Sequence, residues 1–253
     1  MKDALKHVLD DIRQRVDYAD VRMVTTRSER LKVKNGSVDS ISDTTSRGLG
    51  IRVIVGGSWG FSSSSVVSEE EAAKVAGQAI EIAKATRLLK KFDVVLSEED
   101  PAVDTYKTRV IKNPFEVPLE EKTKLLLEAD RIIRKNQAVK VAEGSMQFHA
   151  IDKVFLSTEG ADIQQTIIES GAGISATAVS NGDVQRRSFP TSWGDTATRG
   201  YEFIQEISPA LLIEYKHVGL AALGNCLRKL GYQWQTLGHR DLYAWKKEEH
   251  AIA

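Results

Sequence analysis

The stretch from Lys34 to Ser65 constrains the fold of this chain most. It opens with Asn35-Gly36, a pair typical of a two-residue hairpin turn, because a type I′ turn needs positive φ at both central residues. Two runs rich in β-forming residues come after it, Val38–Thr44 and Leu49–Val55, separated by Arg47-Gly48. Gly56-Gly57 then interrupts the chain before Trp59 and Phe61. The stretch therefore predicts an antiparallel meander.

Helical patterns flank this meander. Leu5, Val8, Leu9 and Ile12 recur at helical spacing between Ala4 and Arg15. Ser68 and Glu71 form a capping box that predicts a helix start, with an apolar stripe of Val75, Ala79, Ile82 and Ala83 reaching about Leu89. A further helix is predicted from Leu119, with a buried face of Leu125, Leu126, Ala129, Ile132 and Ile133. Ser208-Pro209 predicts another helix start.

Further strand candidates complete the pattern: Asp17–Thr26, Arg30–Lys34, Val139–His149, Asp152–Ser157, Ile163–Glu169 and Ile174–Val179. The polar segment from Ser180 to Tyr201 fits either a long hairpin or a surface loop. Asn225–Ala253 has no regular period, which favours a disordered or loosely docked tail.

The two halves of the chain share the same plan. Gly36 and Gly160 occupy equivalent turns, and Gly48-Leu49-Gly50-Ile51 matches Gly171-Ala172-Gly173-Ile174 at nearly the same offset. The order predicts a duplicated α+β fold of two similar units, each an antiparallel sheet with flanking amphipathic helices. The predicted boundaries are 1–91, a linker at 92–118, 119–224 and a tail at 225–253. Because hairpins use glycine widely, chance similarity of two meanders is the alternative.

Charge and composition exclude several classes of function. Lys and Arg number 35, as do Asp and Glu, so no basic field favours nucleic acid. No apolar run approaches the roughly 20 residues of a membrane helix, and the N-terminus lacks the apolar stretch of a signal peptide. The single Cys226 excludes an internal disulfide. A soluble cytoplasmic protein is expected.

The residues do not predict an active site. No two of the five histidines, His7, His149, His217, His239 and His250, stand three to five positions apart, so no metal ligands and no metal cofactor are expected in this chain. Ser62–Ser65 lacks the Gly-x-Ser-x-Gly elbow of a nucleophile and fits turn chemistry better. Gly48-x-Gly50 precedes a strand pattern, where a dinucleotide fingerprint needs a helix. The sequence therefore assigns no catalytic residue, and the substrate-binding residues are unknown at this point.

The meander resembles the N-terminal region of the TldD/PmbA family, long labelled modulators of DNA gyrase and now understood as intracellular metallopeptidases. The matching motifs are Ala19-Asp20-Val21-Arg22, Asn35-Gly36, Arg47-Gly48-Leu49-Gly50-Ile51-Arg52 and Gly56-Gly57-Ser58-Trp59-Gly60-Phe61. The last is more similar to the TldD branch than to the PmbA branch. The resemblance continues through Ser157–Gly160 and Arg199–Glu202 and fades near Ala222.

The resemblance implies a zinc peptidase whose His-Glu-x-x-x-His helix and cysteine ligand lie in a C-terminal half that this sequence lacks. It leads us to expect an N-terminal part, truncated or frame-shifted near Ala221–Asn225, that is inactive alone, has a peptide as substrate and forms a homo- or heterodimer with a TldD/PmbA-like subunit. A non-catalytic binding or scaffold subunit that partners a complete protease is the alternative. A nucleic-acid binder, as the old gyrase label suggests, fits the neutral charge least.

Overall fold

A computed structural model describes residues 1–98, 100–180, 183–192 and 194–208, together with the backbone of 232–236 and 243–247. Its helices are α1 (Lys2–Ile12), α2 (Glu69–Arg87) and α3 (Leu119–Ile133). Short 3₁₀ turns occur at Arg13–Arg15 and Pro114–Glu116, and residues 202–208 are helical. Ser68 caps α2 as predicted, since its side chain accepts a hydrogen bond from Glu71 N at 3.2 Å.

Eight strands form one large sheet in the order β3-β2-β1-β5-β6-β4, with β7 and β8 also paired to β6. The strands are β1 (Tyr18–Lys34), β2 (Ser37–Val55), β3 (Ser58–Ser64), β4 (Val103–Lys107), β5 (Val139–Ser157), β6 (Asp162–Ser180), β7 (Asp183–Phe189) and β8 (Asp195–Ala197). Only β4 has a described parallel pairing, with β6. The chain is therefore α+β, as predicted.

The long strands correct the sequence analysis. Each of β1, β2, β5 and β6 merges two predicted short strands into one of 17 to 19 residues. Gly48 and Gly173 lie inside strands rather than in turns. Among the described residues, positive φ occurs at Asn35 and at glycines such as Gly36, Gly56 and Gly160, and at neither Gly48 nor Gly173. Gly-x-Gly can hold extended backbone, and its missing side chains leave room for close neighbours.

Two compact units divide the chain, and each contains part of the long strands. Unit 1 comprises Met1–Ser28, Thr44–Thr108 and His149–Ile168. Its core joins the apolar faces of α1 and α2 to alternate residues of β1 and β2, such as Val21 and Ile51. Ile80 of α2 is buried here, whereas Ile82, predicted on the apolar stripe, is exposed. The prediction was wrong because the buried face follows the spacing of Ala72, Val75, Ala76, Ala79, Ile80 and Ala83, and Ile82 lies two positions from Ile80, on another side of the helix.

Unit 2 comprises Glu29–Asp43, Arg109–Phe148 and Glu169–Ala253. Its core packs α3 and Tyr201 against β1, β5 and β6, with Leu126, Phe148 and Ile174 at its centre. Lys122 of α3 is fully buried in this unit, where it contacts Glu29 at 2.5 Å and lies over the Phe148 ring at 4.8 Å. Each unit is thus a sheet portion covered by helices, as the fold prediction requires.

The C-terminal predictions have different outcomes. Ser208 lies within helical residues 202–208, so the helix start predicted there is wrong, and the remainder of that predicted helix lies outside the described residues. In the predicted tail, β9 (Tyr232–Thr236) and β10 (Tyr243–Lys247) pair antiparallel, with Trp234 opposite Trp245. Sequence analysis missed these strands, and the other residues of 225–253 lie outside the described part.

The segment 92–118, predicted as a linker, contains β4. The domain boundaries predicted at residues 91, 118 and 224 stay predictions. Each compact unit combines three separate segments of the chain, so the units do not test these boundaries. Among the described residues, no helix is long and apolar enough to cross a membrane.

Candidate functional site

A groove of about 700 Å³ lies on the face of the unit 1 sheet opposite the buried face that packs on α1 and α2. Alternate residues of three neighbouring strands line it: Asp20, Arg22, Val24 and Thr26 from β1, Ser46, Gly48, Gly50 and Arg52 from β2, and Phe61 and Ser63 from β3, with Arg47, Leu49, Ser64 and Ser65 beside them. Because side chains of a strand alternate between the two faces of a sheet, the ten residues named first from β1, β2 and β3 all lie on one face.

The groove lies where β3 separates from β2. Their pairing ends at Leu49 and Ser64, and Val66 N then donates to Ser64 Oγ at 3.1 Å as the chain turns towards α2. Within the part of the chain that the structure describes, no strand pairs with residues 44–48 of β2 on this side. Such an edge presents backbone donors and acceptors to which an extended chain can pair.

Glycine shapes the floor of the groove. A Cβ atom added to Gly50 would lie 3.0 Å from Cε2 of Phe61, so the phenyl ring rests directly above this glycine. The Phe61 side chain is nevertheless exposed, at 57%. The ring therefore offers an apolar surface inside the groove, of the kind that contacts side chains of a bound ligand.

The charges in the groove are mostly positive, with three arginines against one aspartate. Arg52 donates to Asp20 Oδ2 from Nε at 2.8 Å and also lies 4.6 Å from the Trp59 ring centroid. Burial lowers the pKa of Arg52, but the hydrogen bond and charge of Asp20 outweigh it and raise the pKa above its ordinary value. Arg22 lies 5.1 Å from the Phe155 ring, and Arg47 is exposed.

Tyr18 lies next to the pair formed by Arg52 and Asp20. Its ring meets Trp59 edge to face at 6.2 Å. Burial, together with the smaller effect of the charge of Asp20, raises the pKa of Tyr18 to about 12. The phenol therefore stays protonated throughout the neutral range.

The described residues of the groove do not assemble a hydrolytic centre. Ser62 donates to Gln78 at 2.8 Å and Ser64 accepts from Val66 N, so these serines serve the turn and the helix, in line with the sequence analysis. A Ser–His hydrogen bond joins Ser28 and His149 at 2.8 Å, and neither residue lines the groove.

Zinc does not fit the donor set of the described residues. Among them, no three His, Cys, Asp or Glu side chains are placed to hold a metal ion. His7 has Glu69 at 3.8 Å and lies on the exposed side of α1. His217, His239, His250 and Cys226 lie outside the described residues.

The structure brings together motifs that the sequence analysis noted but gave no role. Arg47, Gly48, Gly50 and Arg52 line one groove with Phe61. Sequence reasoning missed the site because it treated the segment as two short strands with a turn between them. The alternation of Asp20, Arg22, Val24 and Thr26 was the signal that could have indicated a common open face.

Two family models match the chain in order. Residues 19–83 match the PmbA/TldA metallopeptidase domain 1, and residues 112–221 match the PmbA/TldA metallopeptidase central domain. Together they cover more than half of the 253 residues. The first match contains every residue that lines the groove.

Similar proteins agree with these matches. A metalloprotease of Methanocaldococcus jannaschii is 27% identical over 85% of this chain and 45% of its own length. A metalloprotease of Methanothermobacter thermautotrophicus is 28% identical over 72% of this chain and 39% of its own length. The chain therefore spans less than half the length of these two relatives.

Solved structures share the fold. A structure described as a modulator of DNA gyrase from Bacteroides thetaiotaomicron matches with a TM-score of 0.66 and 15% identity, over 93% of this chain and 51% of its own. A structure from Thermotoga maritima with a similar description matches with a TM-score of 0.63 and 16% identity, over 94% of this chain and 50% of its own. The structure of TldE from Thermococcus kodakarensis matches with a TM-score of 0.57 and 14% identity, over 84% of this chain and 47% of its own.

Proposed function

Because the chain belongs to the TldD/PmbA metallopeptidase family, we propose that it forms the N-terminal part of such a peptidase and holds an extended peptide substrate in the unit 1 groove. The observation that carries the proposal is the open edge of β2 at residues 44–48 beside the groove. A peptide added there as a strand is bound through its main chain, which makes binding tolerant of sequence.

The charge of the groove narrows the preferred peptide. Arg22, Arg47 and Arg52 outnumber Asp20, so acidic side chains or a terminal carboxylate are favoured near the edge. Phe61 adds an apolar contact. The preference therefore combines main-chain pairing with negative charge.

We assign catalysis to residues other than those that the structure describes. The described residues do not fit zinc, and catalytic zinc sites generally use three protein ligands. The isolated chain is therefore expected neither to bind stoichiometric zinc nor to cleave peptides. Metal analysis of the purified chain, with a cleavage assay on an unfolded peptide, tests this; one tightly held zinc per chain with EDTA-sensitive cleavage would contradict it.

Two proline variants test peptide binding at the edge. Successive amides of a strand point to opposite edges, so of Thr45→Pro and Ser46→Pro one deletes an amide that faces β1 and the other deletes an amide at the open edge. The first type should lower stability. The second should keep stability and weaken binding of a labelled acidic peptide by about tenfold, since main-chain hydrogen bonds contribute about 1 kcal/mol each and proline blocks close approach as well.

The peptide provides the matched control. Two versions of the same acidic peptide are N-methylated at alternate backbone nitrogens, one at the odd positions and one at the even positions. Only the version whose methyl groups replace the N–H groups facing β2 should lose pairing. If neither proline variant nor either N-methylated peptide weakens binding, the groove does not act through strand pairing.

A second candidate function is a non-catalytic binding or scaffold subunit. It is favoured by Val38 and Ile41 of β2, which are 44% and 45% exposed within unit 2. A strand of a TldD/PmbA-like partner, in a homo- or heterodimer, would cover these side chains. Sedimentation of wild type and Ile41→Lys separates the two functions: loss of a dimer without loss of peptide binding favours the subunit. Cytoplasmic location stays a prediction.

A further inference from the structure

The open face of unit 2 carries a second recess, distinct from the groove. It measures about 180 Å³ and is lined by Lys32, Glu143, Gly144, Ser145, Gly173, Ile174, Ser175, Arg186, Ser192 and Gly194. At about 30 Å³ for each water in the liquid, this volume corresponds to about six waters. The recess is thus large enough for one small polar group.

Adjacent strands bring its charges into a row. Lys32 of β1 lies 3.2 Å from Glu143 Oε1 of β5, and Arg186 of β7 lies 3.6 Å from Glu143 Oε2. Arg186 also donates to Ser175 Oγ of β6 at 3.3 Å. A single carboxylate is therefore held between two cations that come from different strands.

Positive charge exceeds negative charge in the ion-pair network around Glu143. Lys34 also approaches Glu143 Oε1, at 3.6 Å, while Asp39 lies 3.5 Å from Lys32. Three cations thus face two carboxylates. Burial raises the pKa of Glu143, but the hydrogen bond from Lys32 and the surrounding positive charges outweigh it and lower the pKa, so this carboxylate is ionised at neutral pH.

Neutral hydrogen-bonding groups and a closely packed loop complete the recess. Ser145, Ser175 and Ser192 supply hydroxyl groups. The loop at Gly194 forms a wall, since a Cβ atom there would lie 2.9 Å from Gly173 Cα and the residue has φ +92°. Only glycine gives the backbone this close approach.

We propose that this recess binds a small oxyanion, either a carboxylate or a phosphate group. Lys32 and Arg186 provide the charge, and the guanidinium has five N–H donors, more than its contacts with Glu143 and Ser175 use. The serine hydroxyls donate to the remaining oxygens. The proposal does not depend on peptide binding at the β2 edge, which lies in a separate groove.

Titration of the full chain tests the proposal at constant ionic strength. Inorganic phosphate is one probe, and a short peptide with a free C-terminal carboxylate, compared with its amide, is the other. Backbone amide shifts of Gly173 and Gly194 should saturate with at least one of the two anionic probes and not with the amidated peptide. Which probe binds more tightly identifies the source of the oxyanion.

Three variants and a control sharpen the test. Arg186→Gln and Lys32→Gln should each weaken binding by about tenfold, because charge-assisted hydrogen bonds are lost. Glu143→Gln should tighten binding, because it removes the anion that competes for both cations. Arg187→Gln, next to Arg186 but on the opposite face of β7, should have little effect.

An ion-pair network that only stabilises the sheet predicts other results. Such a network gives no saturable shift with either anionic probe, or shifts that Arg186→Gln and Arg187→Gln reduce equally. Weaker binding in Glu143→Gln would also overturn the proposal. Because Arg186 is largely exposed, at 61% for its side chain, its substitution should not unfold the chain.

Discussion

The outer edges of β2 and β6 differ in how far they are paired, although the two strands have the same length and the same kind of short partner strand. Both have 19 residues, and both pair over seven positions with a seven-residue strand, β3 or β7. Farther along this edge of β6, residues 170–172 pair with β8 and residues 162–166 pair with β4. Along β2, among the described strands, the edge beyond Leu49 has no partner.

The difference comes from the direction that the chain takes after each short strand. After β3, the chain turns at Ser64 and enters α2 at Glu69. After β7, the chain returns as β8 and pairs with the same edge of β6. One copy of the plan therefore leaves an edge available for a ligand, and the other copy closes it.

The largest loss of stability is expected where α2 packs directly against β3, the short strand that pairs with β2. A Cβ atom on Gly60 would overlap Ala79 O and lie 2.7 Å from Ala83 N. Gly60→Ala should therefore destabilise the chain by about 3–5 kcal/mol through overpacking against helix backbone. Gln185→Ala, at the equivalent register position of β7, should destabilise the chain less, because it shortens a side chain and creates no overlap.

Urea unfolding of both variants checks this difference. Gly60 pairs with Val53, and Gln185 pairs with Ala178 at the matching position. Equal losses in the two variants would mean that α2 does not distinguish the copies.

The paired glycines of the two edges give the next effect. A Cβ atom on Gly171 would lie 2.6 Å from Thr196 Oγ1 and 2.9 Å from Asp195 O, both in β8. Gly171→Ala should cost about 2–3 kcal/mol, because β8 must shift. At Gly48, the nearest atom is Ser64 O at 3.2 Å, so Gly48→Ala should change stability by less than about 1 kcal/mol.

Thermal unfolding distinguishes these outcomes. A large loss in Gly48→Ala would indicate that the β2 edge is more crowded than the β6 edge. That result would contradict the assignment of the open edge.

Acid should weaken the covered edge of β6 more than the open edge of β2. Asp162, at the start of β6, pairs with Lys2 at 2.6 Å and Lys6 at 2.8 Å. The hydrogen bonds from these lysines lower the pKa of Asp162 below its ordinary value of 3.8. Its contribution is therefore complete above pH 3.8 and is lost as the pH falls through the lowered pKa of the folded state.

Asp162→Asn checks this effect. The variant should lose about 1 kcal/mol at neutral pH, the range of exposed ion pairs, and the loss should vanish in strong acid. Stability curves against pH for the two proteins should converge there. A constant difference at all pH values would exclude the ion pairs as its cause.

Sequence patterns predicted α1, α2, α3 and the Ser68 cap because those signals are local. Ser68 caps α2 by accepting a hydrogen bond from Glu71 N, and Leu5, Val8 and Leu9 are buried in α1. The turn at Asn35-Gly36 is equally local, with φ of 49° and 83°. Each of these features depends on residues within a few positions of one another.

The groove and the recess depend on residues far apart in sequence. Asp20 meets Arg52, and Lys32 meets Glu143, only after the strand register is set. Gly48 and Gly173 carried a turn signal, yet they lie within β2 and β6, strands whose other edges pair with β1 and β5. Which edge stays open was also hidden, since β4 comes from a segment without a strand period.

Hydrogen exchange of the intact chain with and without an acidic peptide tests the central claim most directly. The open edge of β2 predicts that outward-facing amides among residues 44–48 exchange fast in the free chain and become protected when the peptide is added. Amides of residues 170–172 in β6 should be protected in both states. Peptide binding with unchanged exchange at 44–48, or protection there before peptide is added, would contradict the account.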